Sequence, residues 1–219
     1  ALAVNDVEVN EGSPYAVFTV TAVEGQPLLL DLASGAAQIG PDTGTTLEYY
    51  DGAKWVAYVP GQAITVPANG NATANEAVSL LVRVAVKQDA NYEGPESFTL
   101  SATYGSGAPK TATGTGTIVD DGTGDLFGPA NATGTPDQPS TPYNDVTGLN
   151  PDGTPAKLPA APKDDDRPLS VTGTQVSEAS PYVQWTVAGE PGQPVTLSLG
   201  TGTATAGVDT GTALEVYDG

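Results

Sequence analysis

Glu11-Gly12-Ser13-Pro14-Tyr15 returns later in the same chain as Glu178-Ala179-Ser180-Pro181-Tyr182. The same displacement carries Phe18-Thr19-Val20 onto Trp185-Thr186-Val187, and Gly25-Gln26-Pro27 onto Gly192-Gln193-Pro194. It holds without a gap through Asp42-Thr43-Gly44-Thr45, matched by Asp209-Thr210-Gly211-Thr212, and Tyr50-Asp51-Gly52, matched by Tyr217-Asp218-Gly219. About half of the aligned positions are identical. A fixed period marks a repeat architecture and has to be read before any single element. The 219 residues divide accordingly into a complete unit at 1–122, a segment at 123–167 and the front of a second unit at 168–219.

Outward from the motif, apolar and polar residues alternate. Phe18 and Val20 share one strand face, and Thr19 and Thr21 share the other. In the second copy Trp185 and Val187 are expected to face in, and Gln184 and Thr186 out. The aromatic position reads as a core anchor. Leu28, Leu30 and Leu32 form the next inward row, answered by Val195, Leu197 and Leu199 with Thr196 and Ser198 between them. This is the period-2 pattern of a sheet with one wet face. A loop at 35–44 carries Asp42, and a strand at 47–50 meets the hairpin signal Asp51-Gly52. A return strand follows at 54–59, an edge piece at 63–67 and a polar loop at 69–75. Leu80, Val82, Val84 and Val86 alternate with Leu81, Arg83, Ala85 and Lys87 in the longest expected strand. An acidic loop at 88–95 leads to a closing hairpin of 97–104 and 111–119. With 27 Gly, 19 Pro and no helical periodicity, the fold class is all-β: a two-sheet antiparallel sandwich.

The segment after Val119 changes character. Residues 122–168 are rich in Pro, Gly, Asn and Asp, and cannot bury enough apolar surface to offset their own ordering entropy. The prolines favour extended chain, and the length is unusual for a loop inside a compact domain. An inter-repeat connector lying along neighbouring surfaces is expected. It ends in Asp164-Asp165-Asp166-Arg167, where three adjacent carboxylates repel one another unless a cation or an Arg relieves them. The second copy holds no counterpart of 54–119. Half a sandwich leaves strand edges and an apolar face open. The expectation is a window on a longer array, or strands supplied by another chain.

Charge narrows the function. The net charge is −19, from 26 acidic and seven basic residues. Such a chain repels nucleic acid and anionic membrane surfaces, and attracts hard divalent cations. Cysteine is absent, which removes disulfides and thiolate metal sites. Histidine is absent, which removes the usual general base and the usual zinc ligand. No elbow motif places a Ser over a helix, and the acids cluster in loops rather than facing across a cleft as in glycoside cleavage. The chain is not expected to be an enzyme. No apolar run approaches the ~20 residues of a membrane span. No signal peptide is seen, and the chain begins in mid-pattern at Ala1, as though cut from something longer.

Val7-Glu8-Val9-Asn10-Glu11-Gly12, Phe18-Thr19-Val20 and Gly40-Pro41-Asp42 are followed by Tyr92-Glu93-Gly94-Pro95-Glu96-Ser97-Phe98-Thr99-Leu100. The unit closes with Gly114-Thr115-Gly116-Thr117-Ile118-Val119-Asp120-Asp121. Together these resemble the Calx-β family, first known as calcium-sensing modules of sodium–calcium exchangers. They look most like the tandem Calx-β-like repeats of giant bacterial surface adhesins secreted by the type I route. The resemblance implies an immunoglobulin-like sandwich with calcium among loop carboxylates at one end. Carried over position by position, it implies Glu11, Asp42, Asp89, Glu93, Glu96, Asp120 and Asp121 as ligands. Calcium takes six to eight oxygens from flexible loops, which fits these residue types. The usual paired Asp before the Tyr-Glu segment is here Gln88-Asp89, and the usual Gly-x-Asp-Tyr is Gly40-Pro41-Asp42-Thr43. In the second copy Glu178 and Asp209 are present without counterparts of the other acids.

Three functional readings follow. The chain is a spacer segment of a large secreted adhesin or extracellular fibre at the bacterial cell surface. Its partners are then neighbouring repeats and, in a fibre, other copies of the chain. Alternatively the repeat binds glycan or protein through Tyr49, Tyr50, Trp55 and Tyr58, or a neighbouring chain completes the second repeat to build a fibre. Asn71-Ala72-Thr73 and Asn131-Ala132-Thr133 match the N-glycosylation pattern and read as chance matches in a bacterial protein.

Overall fold

Alternation lets a segment pair in a sheet while burying one face. In the computed structural model, which describes residues 2–67, 77–105, 110–140 and 163–217, every regular element is a strand. The first unit contains β1 (Ala3–Val4), β2 (Val7–Asn10), β3 (Tyr15–Val23), β4 (Pro27–Ser34) and β5 (Thr43–Tyr50). It continues with β6 (Trp55–Ala57), β7 (Ile64–Thr65), β8 (Ala77–Val86), β9 (Glu96–Tyr104) and β10 (Thr111–Val119). The second unit contributes β11 (Ser170–Gly173) and β12 (Trp185–Ala188). The polar loop at 69–75 with its Asn71 acceptor pattern, residues 141–162 of the connector and Asp218-Gly219 lie outside the described residues.

One sheet runs β1-β3-β8-β5-β6 and the other β2-β10-β9-β4-β7. The leading edge of the chain is shared between them. Ala3 and Val4 pair antiparallel with Thr21 and Val20, whereas Val7 to Asn10 run parallel to Gly116 to Val119. The other named strand pairs are antiparallel. This is an immunoglobulin-like sandwich. The parallel β2–β10 pair is a feature that alternation alone does not announce.

Phe18 and Val20 from β3 and Leu80, Val82 and Val84 from β8 meet Leu28 and Leu30 from β4 and Phe98 and Leu100 from β9; all are buried. Phe18 and Phe98 stand edge to face at 5.9 Å across the layers, a geometry that aromatic pairs favour. The Phe98 ring lies over Gly116, where a Cβ would come within 2.4 Å of it. Gly116 is therefore a packing glycine in the middle of β10, despite the cost of glycine in a strand.

The first part of the connector, residues 123–140, lies along the first sandwich. Asp125 takes a place beside β2, with Asn10 N–H donating to Asp125 O at 3.0 Å and Asp125 N–H to Glu8 O at 3.0 Å. Phe127 then enters the core at 2 % exposure, its N–H donating to Ser13 Oγ at 2.9 Å. Beyond it the chain covers the outer face of the β3–β8 sheet, where Gly134 rests on Leu81 and Thr19. Arg83 is the pin of that face. Its guanidinium is 3.8 Å from the Tyr15 ring centre and 4.2 Å from that of Trp55, is 2.7 Å from Glu48, and donates to Pro129 O at 2.9 Å. The Trp55 indole N–H donates to Asn131 O at 2.9 Å. The Asn131 amide is buried and spent on Thr135 O, Thr133 N and Gly134 N, which leaves no room there for a glycan.

The second copy repeats local geometry. Val171 pairs with Val187 as Val4 pairs with Val20. Ser180 Oγ donates to Tyr182 O at 2.8 Å as Ser13 Oγ does to Tyr15 O at 2.7 Å. Thr205 N–H donates to Asp209 Oδ2 as Gln38 N–H does to Asp42 Oδ2. The expected inward row Val195, Leu197, Leu199 is not in a strand, and Trp185 is 46 % exposed. A strand needs a neighbour for its backbone groups, and the described residues offer this row none.

Phe127→Ala is expected to destabilise the first sandwich by about 3 kcal/mol, the usual cost of emptying a buried aromatic site. A urea midpoint shifted down with an unchanged slope, measured on the full chain, checks it.

Candidate metal centre

Parallel strands finish at the same end of a sheet, and β2 and β10 finish together. Asn10 is paired with Val119, so the next residues, Glu11 and Asp120, leave the sheet side by side. Glu11 N–H still donates to Val119 O at 2.8 Å. Glu11 is 7 % exposed and Asp120 is 4 % exposed. The acidic loop between β8 and β9 delivers Asp89 and Glu93, β9 opens with Glu96, and the turn before β5 delivers Asp42.

These acids form two adjoining groups. Oxygens of Glu11, Asp89 and Asp166 lie within 4.8 Å of one another, and so do oxygens of Asp42, Glu93 and Glu96. Asp120 is a member of neither group, but its charge bears on members of both. One of its oxygens accepts from Glu93 N–H at 2.7 Å, and the other has no partner. Among the described residues, Glu11 Oε2, Asp164 Oδ2 and Asp166 Oδ2 are likewise buried without a hydrogen-bond partner.

Six of the seven sequence-derived positions therefore converge: Glu11, Asp42, Asp89, Glu93, Glu96 and Asp120. Asp121 does not join either group. Its carboxylate turns back onto Thr123 N–H at 3.0 Å, and its backbone bridges to Asp165. Two acids that the ligand assignment left out, Asp164 and Asp166, come in from the far end of the connector. Their signal was the Asp164-Asp165-Asp166-Arg167 run. Arg167 relieves only Asp165, by a two-point ion pair at 2.7 and 2.8 Å, and the carboxylates on either side are left to the cluster.

Two unit charges about 5 Å apart repel by roughly 3 kcal/mol at an effective dielectric constant of ~20. Solvent reduces this at exposed Asp89, and less so at buried Glu11. Protons or cations would relieve that repulsion. Burial first, then the carboxylates of Asp164, Asp89 and Asp120 beside it, push the Glu11 carboxyl up to about 8. Burial followed by neighbouring carboxylates also raises Glu93, Glu96 and Asp166. The donor set is all oxygen, with unpartnered buried carboxylates at its centre. It fits a hard divalent cation of the calcium type and offers nothing to a thiophilic metal. Glu11, Asp89, Asp120, Asp164 and Asp166 would hold one such ion, and Asp42, Glu93 and Glu96 a second.

Of the four aromatic residues that could form a sugar platform, Tyr50 and Trp55 are cross-strand partners. Tyr58 is buried and accepts from Leu30 N–H, while Trp55 is engaged by Arg83 and Asn131. Among the described residues no helix is long and apolar enough to cross a membrane.

No family model matches the chain, and no curated protein matches it. Solved structures do. The periplasmic chaperone SfaE matches at 7% identity over 54% of this chain and 57% of that chain, with a TM-score of 0.33. A mutant of the CFA/I enterotoxigenic E. coli adhesin CfaE matches at 9% identity over 55% of this chain and 49% of that one, with a TM-score of 0.34. The chaperone–tip adhesion subunit pre-assembly complex CsuC–CsuE, from archaic chaperone-usher Csu pili of Acinetobacter baumannii, matches at 8% identity over 57% and 59%, with a TM-score of 0.31. The chain spans about half to three-fifths of the length of these structures.

Cation-free protein is expected to lose stability as pH rises from about 4.5 to about 8. Glu11 keeps its proton in the folded state through that window and has released it in the unfolded state, so stability falls with pH there. Denaturant melts in chelator across that range check the sign, and Glu11→Gln is expected to flatten the slope.

Proposed function

We propose that this chain is a spacer segment of a large secreted adhesin or extracellular fibre at the bacterial cell surface, built from Calx-β-like repeats and stiffened by calcium. The observation that carries the reading is the cluster of unpartnered buried carboxylates where the first sandwich hands over to the next copy. The cation supplies positive charge that turns mutual repulsion among strand ends into cross-linking. The chain's own part is mechanical: a core that resists deformation, loops that hold the acids, and a repeated motif that propagates the unit. Support also comes from the strong acidity and from the absence of histidine and cysteine.

A second reading has a specific observation behind it. Trp185, Val187, Val195 and Leu197 of the second copy are each at least 37 % exposed. Their counterparts Phe18, Val20, Leu28 and Leu30 are covered by strands such as β9. Strands of a neighbouring chain would cover this face in a fibre. Concentration-dependent protection of residues 185–199 from hydrogen exchange would favour that reading over the spacer.

Under the spacer reading, calcium at about 100 times its dissociation constant is expected to raise the melting temperature by roughly 8 °C. Chelator should reverse the shift, and the double variant Glu11→Gln, Asp120→Asn should show a smaller one, since Asp42, Glu93 and Glu96 remain. Glycan arrays probed with the full chain should stay blank; a hit lost on Trp55→Ala in a folded variant would instead support the glycan-binding reading.

A further inference from the structure

Residues 122–140 leave from the acid cluster, and residues 163–166 lie against it. Gly122 N–H donates to Asp164 O at 2.8 Å, and Asp166 N–H donates to Asp120 O at 2.9 Å. The Asn10 side chain, fully buried, ties the outgoing and returning strands together. Its amide N–H groups reach Thr123 O at 2.8 Å and Asp164 O at 3.0 Å, and its Oδ1 accepts from Asp164 N–H at 2.8 Å. Lys163 Nζ reaches Pro139 O at 2.8 Å. The backbone thus draws residues 120–123 and residues 163–166 together.

The side chains at the same junction oppose it. Asp120 belongs to the outgoing end, Asp164 and Asp166 to the returning end, and Glu11 to the sheet beneath. Each has a buried oxygen with no partner. Like charges on two adjoining segments push those segments apart unless something positive sits between them. From Thr123 the chain passes directly into the strap that carries Phe127 into the core and Asn131 over Trp55.

We infer that a divalent cation held by Glu11, Asp89, Asp120, Asp164 and Asp166 fastens residues 120–123 to residues 163–166, so that docking of residues 124–140 over Tyr15, Trp55 and Arg83 depends on the cation. This rests on the calcium reading above and adds a consequence to it: the ion fastens a cover as well as a joint. With that fastening open, the Arg83 guanidinium and the flanking Tyr15 and Trp55 rings become the part of the sheet face that loses its covering.

The test uses the full chain carrying Trp185→Phe, which leaves Trp55 as the reporting indole. Calorimetry with calcium chloride establishes whether the ion binds. Hydrogen exchange then follows the amides of Leu126, Phe127 and Asp137, which donate to Gln138 O, Ser13 Oγ and Leu126 O. At calcium about ten times its dissociation constant, opening that requires ion release becomes about tenfold rarer, so protection of these amides rises about tenfold. Trp55 emission is expected to shift to shorter wavelength in parallel. The double variant Asp164→Asn, Asp166→Asn removes repulsion rather than packing and is expected to stay folded while losing the calcium response of the strap. Calcium binding with unchanged protection of those three amides would overturn the fastening and leave the spacer reading standing. Absence of calcium binding would remove both.

Discussion

The parallel pairing of β2 with β10 is the constraint on which the rest of this molecule depends. It brings two segments more than a hundred residues apart in sequence to a common finish, with Glu11 N–H still bonded to Val119 O beyond the last pair. An antiparallel partner would have finished at the opposite end of the sheet. Because these two finish together, Glu11 and Asp120 are forced into one buried space, and the loops that carry Asp89, Glu93 and Asp42 open onto the same end. Charge concentration is thus a consequence of topology. The sheets' own cohesion comes from Phe18, Phe98 and the aliphatic rows.

The same pairing sets the role of the connector. A chain leaving β10 beside β2 can continue along β2, and residues 124 and 125 do so before Phe127 drops into the core. Composition pointed to an extended segment lying on a neighbouring surface; over 123–140 the segment does lie on that surface, but it doubles back through turns, with Leu126 bridged antiparallel to Gln138. What composition could not convey is that one phenylalanine among prolines and glycines contributes to the core, or that Asn131 meets Trp55. A single buried ring and a few backbone hydrogen bonds suffice to hold a segment that has no core of its own.

The two copies separate local from collective structure. Turns and caps recur because a Ser, Asp or Gly at a given spacing closes its own hydrogen bond whether or not the rest of the domain is present. The β1–β3 register recurs as β11–β12 for a related reason: its partners are close in sequence. The Leu28–Leu30–Leu32 row is a strand in the first copy, where β9 pairs with it. The equivalent Val195–Leu197–Leu199 row has no such partner among the described residues and is not a strand. Identical patterning therefore yields a strand only where another strand accepts its hydrogen bonds.

What the sequence determined by itself was the repeat, the all-β class, and the inward rows and hairpins of the first copy, because period-2 burial and turn chemistry are written in neighbouring residues. It also marked six of the acids that meet, through a family resemblance rather than through spacing. Tertiary structure alone decided that Asp121 would fold back on Thr123 while Asp164 and Asp166 take up places beside Glu11. It likewise decided that Arg83 would be held between two rings under the strap. The physical reason is one of distance along the chain. A turn is settled by the few residues that make it, whereas the company of a carboxylate at a strand end is settled by which strands finish beside it.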